Sequence, residues 1–160
     1  MSGTLLAIHV GPQAAGRMEA RREVRAVPGR GLEGDRYFKG EGSFSKVPGT
    51  GREVTLIAVE MLDLVEREQG IRLDPSETRR NLLTQGISLN ELIGKVFRIG
   101  SVRFRGMRLA EPCDHLERLT VPGVMKGFVH RAGLRAEVLD EGVLRVGDGI
   151  TATAEERASL

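Results

Sequence analysis

The chain is short of aromatic residues and carries almost no net charge. It has no tryptophan, one tyrosine and five phenylalanines, and its formal net charge is +2. Proteins that bind nucleic acid usually combine a larger basic excess with aromatic side chains that stack on bases. We therefore expect no nucleic-acid partner.

Cysteine and long apolar runs are also scarce. The single cysteine excludes a disulfide within the chain. No stretch approaches the ~20 consecutive apolar residues that a membrane-spanning helix requires, and the first residues lack the apolar region of a signal peptide. These features favour a protein of the reducing cytoplasm with no membrane partner.

The overall composition is that of a globular protein with one core. Hydrophobic residues make up 40% and charged residues 29% of the 160 positions, values typical of globular domains of this size. We expect one domain over residues 1–160 with a core over about 4–151. The tail, 152–160, lacks apolar periodicity and is predicted to fray after the Gly147-Asp148-Gly149 turn.

The pattern of short apolar runs predicts a mainly β fold. Each predicted strand is bounded by turn residues or by an abrupt change in polarity, and Gly100-Ser101 is expected to form a hairpin turn. Helical periodicity over Val59 to Gly70 predicts one amphipathic helix, and capping signals at Asp74 and Ser88 predict two short ones. The predicted strands span residues 4–10, 23–27, 53–58, 96–99, 102–107, 134–139 and 143–146.

Residues 29–34 match the dinucleotide-binding pattern G-x-G-x-x-G. That pattern binds a pyrophosphate only when a helix begins at the glycines, and residues 35–40 show no helical period. We interpret the segment instead as a turn that depends on Gly31 and Gly34 and presents Asp35 and Arg36.

Two groups of arginines are candidates for anion binding. Arg79-Arg80-Asn81 ends the short helix that begins near Asp74, and guanidinium groups bind phosphate through paired hydrogen bonds. The alternative is that these cations only stabilise a helix C-terminus. Arg103 and Arg105 share one face of a strand, which either lines a pocket or faces solvent, and Gly106 is expected to mark a bulge.

Charge is distributed unevenly along the chain. Two basic segments, 1–52 and 79–118, flank an acidic one, 53–78. This arrangement suits a small anionic molecule bound between the basic parts of the fold, although solvated surface would give the same pattern.

Cys113 lies in the sequence 111–115, Glu-Pro-Cys-Asp-His, after a run rich in arginine. Nearby cations lower the pKa of a thiol and make it a better nucleophile or metal ligand, whereas an apolar environment would make it an inert buried residue. Structural zinc commonly requires paired cysteines, so no zinc is expected. A catalytic pair with His115 has little support, because no glycine-rich nucleophile turn accompanies the cysteine.

Several segments taken in order resemble the MOSC domain, the C-terminal domain of molybdenum cofactor sulfurase. The resemblance covers about residues 4–151. The segments that carry it are Gly-Leu-Glu-Gly-Asp-Arg at 31–36, Arg-Arg-Asn-Leu at 79–82, Leu-Asn-Glu-Leu-Ile-Gly at 89–94, Cys113, Arg-Ala-Gly-Leu-Arg-Ala-Glu-Val at 131–138 and Gly-Asp at 147–148.

The resemblance implies a closed or nearly closed β-barrel with a few short helices. It also implies that Cys113 either carries sulfur as a persulfide or ligates molybdenum in a pterin cofactor, roles that suit a soft thiolate. By position, Arg79, Arg80 and Asn81 would hold the phosphate or the pterin of that cofactor. Asp35 and Arg36 would shape the rim of the pocket.

The resemblance covers a MOSC domain alone, which implies separate partners. A sulfur carrier would need a pyridoxal-phosphate cysteine desulfurase to load it, and a molybdenum-dependent reductase of N-hydroxylated compounds would need an electron-donor protein. A third alternative is a non-catalytic β-barrel adaptor in which Cys113 is only a packed core residue.

Overall fold

A computed structural model describes residues 2–13, 16–36, 38, 53–111 and 127–157, with side chains described as far as 152. The described residues form eleven strands, one α-helix, α1 (Val59–Gln69), and two 3-10 helices, Pro75–Thr78 and Leu89–Leu92. The strands are β1 (Ser2–Val10), β2 (Glu19–Arg21), β3 (Glu23–Val27), β4 (Gly31–Leu32), β5 (Val54–Ala58), β6 (Leu82–Gln85), β7 (Lys95–Ile99), β8 (Val102–Leu109), β9 (Leu134–Val138), β10 (Gly142–Arg145) and β11 (Gly149–Arg157).

Seven of these strands close a barrel in the order β11-β7-β8-β9-β5-β6-β1, and β11 pairs back with β1. All of the pairings are antiparallel except β5 with β6, which are parallel and are connected through α1. β2 extends the sheet beside the end of β1, and a second sheet has the order β10-β3-β4. The predicted mainly β, closed-barrel fold is confirmed.

The core of the barrel consists of the inward-facing side chains of its strands. Phe97 of β7 and Phe104 of β8 are register partners, and their rings stack with centroids 5.6 Å apart, which stabilises such a pair by about 0.5–1.5 kcal/mol beyond area burial. β5 is buried on both faces, because the barrel interior covers one face and α1 packs its Leu62 and Val65 against the other.

Most local predictions from the sequence are confirmed. The turn of the β7–β8 hairpin lies between Ile99 and Val102, and the register of β8 changes after Gly106. Gly70, in the left-handed conformation, ends α1. The predicted short helix begins after Asp74 with Pro75 in its first turn, and Asp74 also forms a capping box with Glu77. At Ser88 the capping prediction is wrong, because its side chain makes no capping hydrogen bond to the 3-10 helix that follows.

The sequence did not indicate four of the strands. β6 has only four residues and carries no alternation, because as a parallel strand covered on both faces it has three buried residues in succession. β2 and β4 have three and two residues, too few to carry a period. β11 runs to Arg157, past the predicted end of the core, and Ala152 and Arg157 pair with β7.

Glu53 joins the β3–β4 turn to the end of β9. Its Oε1 accepts hydrogen bonds from the backbone N–H of Gly29 at 3.1 Å and of Val138 at 3.0 Å. Burial raises the pKa of this carboxyl above its ordinary value of 4.5, and the charge of Glu137 adds to the effect. The folded state therefore binds this proton more tightly than the unfolded state. The protein loses stability as pH rises from the ordinary pKa of the carboxyl through the raised pKa of the folded state.

Glu53→Gln removes the charge but keeps an oxygen that accepts both hydrogen bonds. We expect the variant to be as stable as the native protein or more stable at pH 7, with a difference that shrinks below about pH 4, where the carboxyl is protonated. Urea unfolding at pH 4 and pH 7 measures this. An equal loss of stability at both pH values would show that the charge is not what matters.

Candidate functional site

Arg79, Arg80 and Asn81 are consecutive, and each joins a different part of the fold. Arg79 ends the first 3-10 helix with φ 61°, an uncommon conformation for a residue other than glycine. Asn81 immediately precedes β6. The turn between the helix and the strand therefore points three neighbouring side chains in different directions.

Asn81 is a buried junction, 4% exposed. Its Oδ1 accepts from the backbone N–H of Thr55 at 3.0 Å, and its Nδ2 donates to the carbonyl of His9 at 3.0 Å and to Asp35 Oδ1 at 3.3 Å. These bonds join β1, β5 and the turn after β4. Both the oxygen and the nitrogen of the Asn81 amide therefore have hydrogen-bond partners within the protein. Such contacts are those of a residue that positions the backbone around it.

Asp35 and Arg36 follow the turn at Gly31 and Gly34, and both glycines have the positive φ that the sequence predicted. Asp35 is fully buried, and its Oδ1 accepts from Gly11 N at 2.8 Å and lies 3.7 Å from Arg36 Nη1. Opposite charges and hydrogen bonds compensate for taking the carboxylate out of water. Arg36 Nη1 also lies 3.7 Å from the sulfur of Met18.

Arg80 crosses the outer face of the barrel and holds backbone carbonyls. Its Nε donates to Ala132 O and its Nη2 to Ala110 O, both at 2.8 Å, and Nη2 lies 3.5 Å from Glu111 O. Ala110 N in turn donates to Gly133 O at 2.8 Å. The planar guanidinium thereby fixes the end of β8 against the start of β9.

Arg79 lines a cavity of about 630 Å³, here called the polar cavity. Its guanidinium donates to the carbonyl of Gly16 across the cavity. On the same side as Gly16, Met18 is in contact with Arg36, so two arginines brace this wall. The residues that line the polar cavity are Gly16, Arg17, Met18, Asp74, Ser76, Glu77 and Arg79.

His9 lies near Asp74 on the outer side of β1. Burial lowers the pKa of His9 below its ordinary value, and the negative charge of Asp74 opposes this shift. Hydrogen bonds from Ser76 hold the pKa of Asp74 below its ordinary value. Asp74 is therefore ionised at neutral pH, and the polar cavity has a fixed negative charge beside the cationic groups of Arg17 and Arg79.

Arg103 and Arg105 lie apart from this site. Both face the outside of β8, where Arg103 makes paired 3.0 Å hydrogen bonds to Asp140 and Arg105 lies 3.3 Å from Glu137. These carboxylates belong to β9 or to the turn after it. The structure does not bring Arg103 and Arg105 to the polar cavity, and their cofactor-binding role stays a prediction.

Cys113 lies outside the described residues, as do Asp114 and His115. The preceding residue that is described, Glu111, holds His130 twice: Oε1 accepts from His130 N at 2.7 Å, and Oε2 lies 2.6 Å from Nδ1. His130 has φ 60°. Among the described residues no group of three His, Cys, Asp or Glu side chains is placed to hold a metal ion.

Sequence reasoning missed Arg17 and Ser76 as wall residues of the polar cavity. Asp74 was recognised only as a helix cap. The one available signal was the capping box, because it predicts the turn that places Asp74, Ser76 and Arg79 together. Nothing in the sequence pairs residues 16–18 with residues 74–79.

The polar cavity offers an anionic, phosphate-bearing cofactor the guanidinium groups of Arg17 and Arg79, whereas the carboxylates of Asp74 and Glu77 in the same lining oppose an anion. The cavity volume lies in the range of small-molecule sites, and Arg17, Arg79 and Ser76 supply hydrogen-bond donors on its walls. No helix of the described part of the chain is long and apolar enough to cross a membrane.

The chain is similar to known proteins in both sequence pattern and fold. The sequence pattern of the MOSC domain matches residues 8–151. The fold is similar to that of the YUAD protein from Bacillus subtilis, with a TM-score of 0.77 and 17% identity over 94% of each chain. YiiM from Escherichia coli is also similar, with a TM-score of 0.71 and 16% identity over 99% of this chain and 74% of that one. YiiM from Geobacillus stearothermophilus has a TM-score of 0.69 and 15% identity over 98% and 80%. No curated protein sequence matches.

Proposed function

Because the chain belongs to the MOSC domain family, we propose that it binds a molybdenum pterin cofactor and acts through Cys113, as a persulfide carrier or as a thiolate ligand of molybdenum. One observation supports this best. Two consecutive side chains lie at the two regions that the proposal uses: Arg79 lines the polar cavity, and Arg80 contacts the backbone carbonyls of residues 110 and 111, which precede Cys113 in the sequence.

In this proposal the polar cavity receives the anionic part of the cofactor. Arg79 and Arg17 are the phosphate donors, because guanidinium groups bind phosphate oxygens through paired hydrogen bonds. Three buried residues would support the wall of the cavity without contacting the cofactor. Asn81 bonds to residue 9, Asp35 to residue 11 and Arg36 to residue 18. The cofactor, when bound, supplies two-electron redox and sulfur chemistry at molybdenum, and Cys113 supplies the soft ligand.

The test is anaerobic purification from cells that make the cofactor, with measurement of molybdenum and of cyanide-labile sulfur. We expect the native protein to carry one or both, and Cys113→Ala to lose the labile sulfur and to lower the molybdenum content about tenfold or more. Because the chain has one cysteine, a persulfide on the native protein can form only at this residue, and labile sulfur that persists in Cys113→Ala would belong to the cofactor. Equally low contents in both proteins would refute the proposal.

Arg79→Met and Arg145→Met form a matched pair for the cofactor-binding part. Both remove a guanidinium group, but Arg79 lines the polar cavity, whereas Arg145 pairs with Glu23 on the exposed surface. We expect Arg79→Met to lower molybdenum content by about tenfold, and Arg145→Met to leave it unchanged. Equal losses would place the anion elsewhere.

Turnover separates carriage from reduction. A reductase loaded with molybdenum would convert an N-hydroxylated base with a reduced artificial electron donor and would lose this activity in Cys113→Ser. A carrier would show labile sulfur without this turnover, and would accept the sulfur from a separate cysteine desulfurase.

A further inference from the structure

A second pocket lies on another side of the barrel, where the parallel strands β5 and β6 end. Its volume is about 430 Å³, within the range of small-molecule sites. The two parallel strands and α1 form a β-α-β unit, and the segments that follow the two strands, the start of α1 and residues 86–90, form two walls of the pocket. The residues that line this apolar pocket are Ala58, Glu60, Met61, Gly86, Ile87, Ser88, Leu89, Asn90, Arg131 and Gly133.

Three walls of the apolar pocket are braced against one another in a ring. Glu60 of α1 accepts a hydrogen bond from Gly86 N at 2.7 Å, which joins the helix to the segment after β6. Asn90 donates to His130 O at 3.1 Å, which joins that segment to the one before β9. Arg131 donates to Glu68 of α1 at 2.8 Å, which completes the ring.

The ring has two consequences for a ligand. The walls are held in place before anything binds, so a ligand would not have to order them. The charged groups at the rim, Glu60 and Arg131, already have partners within the protein, so the pocket favours a molecule without a net charge.

The inner surface of the pocket is apolar and adaptable. Ala58, Ile87 and Leu89 are buried, and half-buried Met61 has a flexible thioether side chain that adjusts to ligands of different shape. His130, whose carbonyl accepts from Asn90 and whose N–H donates to Glu111, has a strained φ of 60°, of the kind that is retained at binding sites.

We infer that the apolar pocket is a binding site for one small, uncharged, mainly apolar molecule, separate from the polar cavity. The occupant enters past Ser88 and Asn90, which are exposed at the rim. Its apolar body contacts Met61, Ile87 and Leu89, and the exposed Ser88 hydroxyl and Asn90 amide offer hydrogen bonds to a polar group.

Two probes of nearly the same shape test the site. N-phenyl-1-naphthylamine is neutral, and 8-anilinonaphthalene-1-sulfonate has the same ring system with a negative charge. We expect the neutral probe to bind the native protein saturably, one molecule per chain, and about tenfold more tightly than the sulfonate. Absence of saturable binding, or tighter binding of the sulfonate, would overturn the inference.

Ser88→Trp and Ser101→Trp locate the binding. Both residues are exposed, and Ser88 makes no capping bond, so neither change removes a contact of the core. We expect Ser88→Trp to block the rim and weaken binding of the neutral probe about tenfold or more, while Ser101→Trp, in the β7–β8 turn, binds as the native protein does. Thermal unfolding confirms that both are folded, and undiminished binding by Ser88→Trp would overturn the assignment.

Discussion

Gly133→Ala is expected to destabilise the protein by about 2–5 kcal/mol, and the upper end of this range would unfold a domain of ordinary stability in part at 37 °C. Gly133 has φ 102°, and a Cβ atom there would lie 1.8 Å from the backbone oxygen of Leu56. The left-handed conformation costs an alanine about 1–2 kcal/mol, and overpacking against a fixed backbone adds about 1–3 kcal/mol. β9 would have to separate from β5, and Ala110 would lose its backbone partner.

Gly29→Ala is the matched control. Gly29 also has a positive φ, 78°, but a Cβ atom there has no neighbour within 4 Å. We expect a loss of about 1–2 kcal/mol from conformation alone. Urea unfolding followed by circular dichroism gives both values, and similar losses in the two variants would show that the close approach to Leu56 is relieved by movement of the backbone.

Asn81→Ala is expected to cost about 3–5 kcal/mol. The change leaves the N–H of Thr55 and the carbonyl of His9 without the amide, and it removes a donor from the buried carboxylate of Asp35. Each buried polar group that loses its partner costs about 1–3 kcal/mol. Because the same bonds hold β1, β5 and the Asp35 turn together, we also expect the variant to bind the proposed cofactor less tightly and to carry less molybdenum.

Asn90→Ala and Asn81→Asp test this explanation. Asn90 is exposed with one hydrogen bond to His130, so its loss should cost about 1 kcal/mol or less. Asn81→Asp places a second carboxylate beside Asp35, and like charges that share a site raise the pKa of one of them. The folded state of this variant then binds one more proton than its unfolded state. Its loss of stability relative to the native protein should therefore be largest at neutral pH and smaller in acid.

A pH-independent deficit in Asn81→Asp would show that the two carboxylates do not interact. A loss in Asn90→Ala as large as that in Asn81→Ala would show that burial of the amide is not the cause.

The candidate site was only partly predictable. The turn at Gly31 and Gly34 and the end of the short helix at Arg79 were predicted correctly, because each depends on residues a few positions apart. The sequence did not indicate the roles of Arg80 and Asn81. Arg80 holds backbone carbonyls of residues 110 and 132, and the amide of Asn81 is fully engaged inside the protein. Arg103 and Arg105 pair with carboxylates that their own strand pattern does not reveal.

The sequence by itself determined the mainly β architecture, the bounds of α1, the β7–β8 hairpin and the turn before Asp35. Each of these follows from apolar periodicity, capping or turn chemistry, which act between residues close together in the chain. Only the tertiary structure decided where β6 lies, which side chains line the polar cavity and how the apolar pocket is braced. Those features depend on contacts between residues far apart in the chain, as from Asn81 to His9 and Asp35 and from Arg131 to Glu68. Such contacts require the folded barrel, in which strand pairing, including that of β11 with β1, fixes the register of the strands.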